Sequence, residues 1–398
     1  MTASQRQPLM SRFHHGITAP KAAKWASAIV SRRDPSRFIP QTIAHRGFKA
    51  SFPENSMAAF RAAVEVGAHA LETDVHLSKD GVVVLSHDPS LKRCFGVDLL
   101  IKDCTWSYLS SLRTLKEPHE PLPRLVDLLE YLVSGPETDK IWVLLDIKID
   151  DKPEDLLRAV ACALTEVSSA TPWDERIVLG CWNATFMKAA LAFLPGFPLA
   201  HISTSLFYSR HFLPIPNLGY NMFQLLLVGP LGGWFLSKAK SATRPVFAWT
   251  VNSPKWMEWC IRRNIPSTPP PPPPPPTSSS TPSSSSASSL SADPKLDSSP
   301  TPAPSPVLID GVITDDPRLF LHVCSRVEDD LDGKTDKSSS AVTRRPNLGV
   351  VLGSLTSGLG TTCGILFINV FATSFFWYRR LQGRVDKFDV GFFKNFQT

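Results

Sequence analysis

The sequence predicts an α/β chain folded as a TIM-type (β/α)8 barrel, eight parallel strands joined by helical crossovers. Three observations carry that prediction. Short apolar runs recur at 42–46, 70–75, 142–148, 177–181, 199–203, 220–224, 246–251 and 308–313. Several are followed by stretches with helical periodicity, and charged residues gather at the C-terminal ends of the runs. In a parallel barrel those ends form one mouth, so residues far apart in sequence meet there. A doubly wound open sheet is the alternative built from the same elements.

Composition narrows the class. With 398 residues and 43% apolar content the chain can bury a large core. The net charge of +6 is modest, and no basic stripe is interleaved with aromatics, which argues against a nucleic-acid partner. Seven cysteines without Cys-x-x-Cys pairing, an odd number, fit reduced thiols in a cytosol-facing protein better than a disulfide framework.

Taken in order, residues 1–40 read as a basic N-terminal arm, with Arg6, Arg12, Lys21, Lys24, Arg32 and Arg33 ahead of the first acid, Asp34. The arm has no apolar core of the secretory kind, and its composition also fits a weak mitochondrial presequence. The barrel is expected over 41–321. Its first strand ends in His45-Arg46-Gly47, and Pro53-Glu54-Asn55-Ser56 supplies an N-cap, Asn55 or Ser56, for a helix from Met57 to Glu65. The second strand ends in Glu72 and Asp74. The apolar run Val82 to Ser86 follows after only Ser78-Lys79-Asp80-Gly81, too short for a parallel crossover, so it must fold back antiparallel and carry His87-Asp88 with it. The third strand ends in Asp146 and Lys148 and the seventh in Trp249-Thr250-Val251-Asn252; the eighth runs through Asp310 to Asp315.

Two segments fall outside this pattern. Residues 266–306 are prolines followed by serines, which cannot bury apolar surface; they read as a disordered insert on the face opposite the mouth, a spacer or a ligand for a partner that binds Pro-rich chains. After a linker at 322–347 comes an apolar stretch, 348–378, flanked by Arg344-Arg345 and Arg379-Arg380 and followed by a short basic tail, 379–398. It is long enough to span a bilayer. The expected arrangement is a membrane tail anchor with the barrel in the cytosol, on the endoplasmic reticulum, a lipid droplet or the mitochondrial surface.

The mouth residues define a chemistry. In extended strands Glu72 and Asp74 share a face, and Asp146 on the neighbouring strand can meet them. Three hard oxygen donors suit Mg²⁺ or Ca²⁺, whereas Zn²⁺ would recruit more nitrogen or sulfur. His76 continues the same face and could join a mixed site. The competing reading is that the acids only neutralise Arg46 and Lys148. His45 and His87 can take and give protons near neutral pH, and Arg46 and Lys148 can grip non-bridging phosphate oxygens. Glu54 is placed to brace Arg46 or a histidine. Trp249 lines either the pocket or the core, while His69, His119 and His201 read as structural. Together these groups describe a phosphodiesterase.

At this point the series His45-Arg46-Gly47, Pro53-Glu54-Asn55-Ser56, Glu72-x-Asp74, Lys79-Asp80-Gly81, His87-Asp88, Asp146-Ile147-Lys148, Trp249-Thr250-Val251-Asn252 and Asp310 to Asp315 resembles the signature of the glycerophosphodiester phosphodiesterase family, in order over about 41–321. The resemblance implies a phospholipase-C-like barrel with a divalent cation on Glu72, Asp74 and Asp146. It implies acid/base roles for His45 and His87, phosphate contacts from Arg46 and Lys148, and Trp249 at the glycerol or lipid end. Many members carry glutamate where this chain has Asp146. The connection Pro89 to Lys140 is compact, which suggests an open mouth. With its C-terminal apolar segment, the layout is similar to the fungal phosphatidylglycerol phospholipase C branch. That implies cleavage of phosphatidylglycerol to diacylglycerol and glycerol 3-phosphate, by attack of the headgroup 2-hydroxyl and opening of a cyclic phosphate by water. The alternatives are hydrolysis of glycerophosphodiesters or lysophospholipids, and an inactive membrane-tethered lipid-binding scaffold.

Overall fold

A computed structural model describes residues 19–265 and 307–334. A two-residue ribbon, β1 (Ile29–Val30) and β2 (Phe38–Ile39), precedes the barrel. The barrel strands are β3 (Gln41–His45), β4 (Ala70–Leu77), β6 (Trp142–Ile147), β7 (Ile177–Cys181), β8 (Leu199–Ser203), β9 (Gly219–Phe223), β10 (Val246–Trp249) and β11 (Gly311–Thr314). Each pairs in parallel with the next, and β3 closes the circle by pairing with both β4 and β11. The closed barrel, not the open sheet, is the architecture. β5 (Val83–Leu85) returns antiparallel on the end of β4 with Val75 opposite Leu85, as the short turn requires.

Alternation along the strands sorts the residues into two layers. Ala44, Leu71, Val143, Leu145 and Leu179 pack outward on the helices. Ile43, Ala70, Trp142, Leu144, Val178, Phe247 and Ile313 fill the barrel interior. Burying an aromatic such as Phe247 there contributes about 1.5–3 kcal/mol. The filling is tight, since a Cβ on Gly311 would meet Ile43 Cδ1 at 2.6 Å. The same inward register, continued two residues at a time toward the C-terminal ends, passes from apolar filling to Glu72, Asp74, Asp146 and Lys148.

The floor of the barrel revises the sequence reading at both ends. From residue 19 the expected arm is folded: the Trp25 ring packs edge-on against Trp142, with centroids 5.3 Å apart. Gln41 donates through Nε2 to the carbonyls of Trp25 and Ser27 and accepts from Trp142 Nε1 at 2.8 Å. Its basic residues are used structurally, as Arg33 pairs with Asp329 and Arg37 with Asp332, both at 2.5 Å. The first of those acids belongs to the helix Pro317–Leu331 and the second follows it directly. This helix runs ten residues past the boundary expected at 321, because its apolar face (Phe320, Val323, Cys324, Val327) is buried. The linker therefore starts later than 322.

The segment 266–306 lies outside the described residues, but its attachment points do not. Asn264, almost fully buried, accepts from the backbone N–H groups of Leu308 and Ile309 and donates to the Ile309 carbonyl at 2.7 Å. This clamp at the N-terminal end of β11 occupies groups a longer strand would use, so β11 begins at Gly311 and not at 308. The described residues on either side of the segment thus meet at the N-terminal end of β11. Residues 87–122 form short helices by the β4–β5 hairpin around a separate small core of Leu91, Phe95, Ile101, Leu109 and Leu122, whereas the helix Leu125–Leu132 buries its leucines in the main core. Among the described residues the six cysteines are free thiols, and no helix is long and apolar enough to cross a membrane. The expected span, 348–378, lies outside them, as do the rest of the linker and the tail.

Candidate active site

The mouth of the barrel holds a cavity of about 100 Å³ lined by His45, Arg46, Glu72, Asp74, His87, Asp146, Lys148, Trp182, Asn221 and Trp249 among others. Parallel register sets the acids side by side: His45 is level with Glu72, and Asp74 with Asp146. The space would hold about three waters, enough for a phosphoryl group and not for an acyl chain.

Local backbone choices aim the first strand's residues. Arg46 and Gly47 both take positive φ, 56° and 79°, which turns the chain sharply after His45. A Cβ on Gly47 would lie 2.7 Å from Ala59, so only glycine fits. Ser56 caps the helix Met57–Glu65 by accepting from Ala59 N–H. Asn55, also at positive φ, is thereby released from capping and bonds elsewhere. Its Nδ2 donates to Asp74 Oδ2 at 2.9 Å, while its Oδ1 accepts from Thr73 Oγ1 at 2.8 Å.

Glu72, Asp74 and Asp146 are buried, and one carboxylate oxygen from each lies within 4.8 Å of the other two. Lys148 Nζ sits 2.6 Å from both Asp74 Oδ1 and Asp146 Oδ2, and Arg46 Nε lies 3.2 Å from Asp74 Oδ2. Burial opposes ionisation of Asp74, but Lys148 and Arg46 outweigh it and hold its pKa well below the usual range. Glu72 has no such partner. It accepts from the Arg46 backbone N–H at 3.0 Å, and burial, reinforced by Asp74 and Asp146, pushes its pKa well up. Three carboxyls thus face two cations, and the third, Glu72, is the one driven toward its neutral form. This all-oxygen donor set, whose third member a bound cation would bring back to the anion, fits a hard divalent cation. His76 is not part of it: its Nδ1 lies 2.9 Å from Asp151 Oδ2 and its Nε2 3.3 Å from the His87 carbonyl, so it supports the backbone of the catalytic candidate.

Each of the two candidate histidines is held by a carboxylate. His45 Nδ1 lies 2.5 Å from Asp315 Oδ1, and His87 Nδ1 lies 2.7 Å from Asp88 Oδ1. A carboxylate partner requires the proton on Nδ1, which leaves Nε2 as the exchanging atom; His45 Nε2 is 4.0 Å from Glu72 Oε2. Burial lowers both histidine pKa values, with the partner carboxylates acting in the opposite sense.

Glu54 joins Arg46 to the second histidine. Its carboxylate accepts from Arg46 at 2.9 Å and from Arg93 at 2.7 and 2.8 Å, and Arg93 Nε donates to Asp88 Oδ2 at 2.6 Å. Burial opposes its ionisation, yet the two arginines bring its pKa down to about 2.

Trp249, from β10, lines the cavity and donates to the Asn221 carbonyl at 3.0 Å; Trp182 meets its ring edge-on at 5.8 Å and donates to Asp146 Oδ1 at 2.7 Å. Of the residues named from sequence, His45, Arg46, Glu72, Asp74, His87, Asp146, Lys148 and Trp249 line this cavity, Glu54 reaches it through Arg46, and His76 is turned to Asp151. Asp315, Asp88, Arg93, Asn55 and Trp182 were not assigned roles there. Asp315 was open to detection, since it follows β11, the barrel neighbour of β3. Arg93 was not, because its approach depends on how the 87–140 excursion folds. The histidines set aside as structural behave so: His69 accepts from Thr42 N–H, and His201 is enclosed by Tyr208 and Phe212.

The model of the glycerophosphoryl diester phosphodiesterase family matches residues 45–266. A lysophospholipase D of Rattus norvegicus is 43% identical over 132 residues, 31% of this chain and 41% of that protein. The chain thus matches about two fifths of that relative's length. An uncharacterized protein of Bacillus subtilis is 26% identical over 228 residues, 55% of this chain and 90% of its own. Among solved structures, an Oleispira antarctica phosphodiesterase in complex with the product sn-glycerol-3-phosphate superposes with a TM-score of 0.54 at 19% identity, covering 72% of this chain and 97% of that one. A glycerophosphodiester phosphodiesterase from Parabacteroides distasonis gives 0.51 at 20% identity, covering 73% and 99%. At these identities the two structures show the fold.

Proposed function

The chain belongs to the glycerophosphoryl diester phosphodiesterase family, and from that premise we propose that it hydrolyses a glycerol phosphodiester with the help of a divalent cation. The observation that carries the reading is one cavity bringing two carboxylate-backed histidines to a buried acidic triad. Glu72, Asp74 and Asp146 would hold the cation, Mg²⁺ or Ca²⁺. When bound it supplies Lewis-acid stabilisation of charge on the phosphoryl group.

The chain's own residues account for the rest of the chemistry. One histidine accepts through Nε2 the proton of the attacking hydroxyl, and the other protonates the leaving oxygen. If the attacking group is the glycerol 2-hydroxyl, a cyclic phosphate forms and the two histidines exchange roles when water opens it. Asp315 and Asp88 stabilise whichever imidazole is charged, and Arg46 and Lys148 face the non-bridging oxygens. The volume of the cavity confines the phosphoryl group and leaves the alcohol or lipid portion along Trp249 and Trp182.

The substrate class that best suits these features is a glycerophosphodiester, including one bearing an acyl chain at a membrane surface; the name of the rat relative, lysophospholipase D, supports the lysophospholipid form. Phosphatidylglycerol, cleaved to diacylglycerol and glycerol 3-phosphate, is the second reading, favoured by the apolar sequence segment 348–378 as a membrane tether. The same segment supports a membrane-anchored enzyme with its barrel on the cytosolic side, and residues 266–306 would recruit a Pro-rich-binding partner. Incubating the full chain with glycerophosphocholine, lysophosphatidylcholine and phosphatidylglycerol, with and without chelator, tests the assignment. Release of choline from the first two supports the primary reading, diacylglycerol from the third supports the second, and chelator-insensitive turnover removes the metal.

A further inference from the structure

Exposed large apolar side chains are distributed unevenly over this protein. Among the described residues all but Ile29 and Val30 lie on segments that leave the C-terminal ends of strands, the end where the cavity opens. On one side Leu99 and Leu115 belong to the 87–140 excursion, which is fixed to that end because Lys116 Nζ donates to the carbonyls of Lys49 and Phe52 in the loop after β3. On the other side are Phe207, 52% exposed, just after β8, and Leu231 and Trp234, 58% and 47% exposed, in the first turns of the helix after β9. Leu231 and Trp234 are three residues apart on that helix and so project from the same side. The short helix carrying Phe207 packs against it, so the three exposed residues stand on adjoining elements at one side of the mouth.

This patch continues the apolar half of the site. Within the mouth, strands β3, β4 and β6 contribute the charged groups, whereas Trp249 and Trp182 form the opposite wall. Phe223, at the end of β9, packs on Trp249 with centroids 5.5 Å apart and leads directly into the segment that bears Leu231. Arg210, exposed beside the patch, holds its guanidinium 5.6 Å from the Phe207 ring. Aromatic and leucine side chains with a basic residue among them are the composition of a surface that settles into a lipid interface, the rings at headgroup depth and the cation on phosphate.

We infer that the Phe207, Leu231 and Trp234 patch, with Arg210, docks the mouth of the barrel on an anionic phospholipid surface. The inference deepens the proposed function, on which it rests for the identity of what enters the cavity. The cavity, about 100 Å³ and lined by the charged groups, suits the phosphoryl end of a lipid and leaves the acyl part to this apolar side. A protein seated on the same rim would close the entrance, whereas a bilayer covers it and supplies the substrate.

The test uses the full chain and vesicles of phosphatidylcholine with phosphatidylglycerol. Amide hydrogen exchange should slow several-fold at 205–213 and 228–236 when vesicles are added. The triple variant Phe207→Ser, Leu231→Ser, Trp234→Ser should lose that protection. It should keep turnover of soluble glycerophosphocholine within about two-fold and lose roughly ten-fold or more on lysophospholipid in vesicles. Slowed exchange confined to other segments, an equal loss on soluble and vesicle substrates, or protection that appears without vesicles as protein concentration rises would overturn the docking. Protection with no turnover of any phosphodiester would sustain the docking and refute the substrate reading, which separates the two.

Discussion

Asp315 Oδ1 lies 2.5 Å from His45 Nδ1, joining the end of the last barrel strand to the end of the first. Its other oxygen accepts from Asn252 Nδ2 at 2.9 Å, so the carboxylate is itself oriented from β10's loop. Burial opposes its ionisation, but the His45 contact and Lys49 bring its pKa down to about 2. Asp315 is thus an anion at any pH where His45 titrates. Asp315→Asn removes the charge that raises the His45 pKa, against burial, which lowers it. We expect kcat/KM to fall about 10- to 100-fold and the acidic limb of its pH profile to move to lower pH. A pH profile with an unmoved limb would refute the pairing.

The Glu54 link can be read through pH and kinetics. With its folded pKa at about 2, below the ordinary value, Glu54 contributes stability that is present above the unfolded pKa and lost as pH falls through about 2. Glu54→Gln should therefore destabilise by on the order of 3 kcal/mol at pH 7 and by far less near pH 2, measured by denaturant unfolding. A pH-independent loss would point to packing. Arg93, about half exposed, is the milder probe: Arg93→Gln should leave stability within about 1 kcal/mol yet shift the pH dependence of turnover, because Arg93 holds the Asp88 carboxylate that contacts His87.

Glu72, buried without a cationic side-chain partner and driven toward its neutral form, gives the cation a readout independent of turnover. Titrating Mg²⁺ or Ca²⁺ should raise the melting temperature progressively, by about 2.7 kcal/mol of stability at one hundred times Kd. Glu72→Gln should weaken that response while making the metal-free protein more stable, since it relieves a buried carboxyl facing two others. A melting temperature insensitive to both ions would exclude the triad as their site.

Asn264 closes the barrel behind the Pro/Ser segment, and its amide makes three hydrogen bonds to backbone groups of Leu308 and Ile309. Asn264→Ala should cost about 2–3 kcal/mol by stranding buried backbone groups. Replacing residues 266–306, about 40 residues, by a five-residue Gly/Ser loop should leave turnover intact and add about 1–2 kcal/mol through the lower loop-closure entropy. Loss of turnover on shortening would assign the segment to the site.

The sequence by itself determined a helix-covered parallel sheet, because short continuous apolar runs are buried on both faces only there, and because a four-residue turn cannot carry a parallel crossover; the pairing of β3 with β11 then decided the closed barrel over the open sheet. The sequence also determined the acidic triad, as Glu72, Asp74 and Asp146 follow from strand alternation and one neighbouring pair. What only the tertiary structure decided are relationships set by packing between distant segments. Asn55 was diverted from capping to Asp74 because Ser56 sits one residue closer to the helix. His76, on the right face, was turned away by Asp151. Arg93 reached Glu54 through an excursion with its own core, and Trp25 plugged the floor from a segment whose charges alone suggested a free arm. Alternation fixes which way a side chain points along a strand; the partner it meets depends on loops whose paths are set by burial and hydrogen bonding far away in the chain.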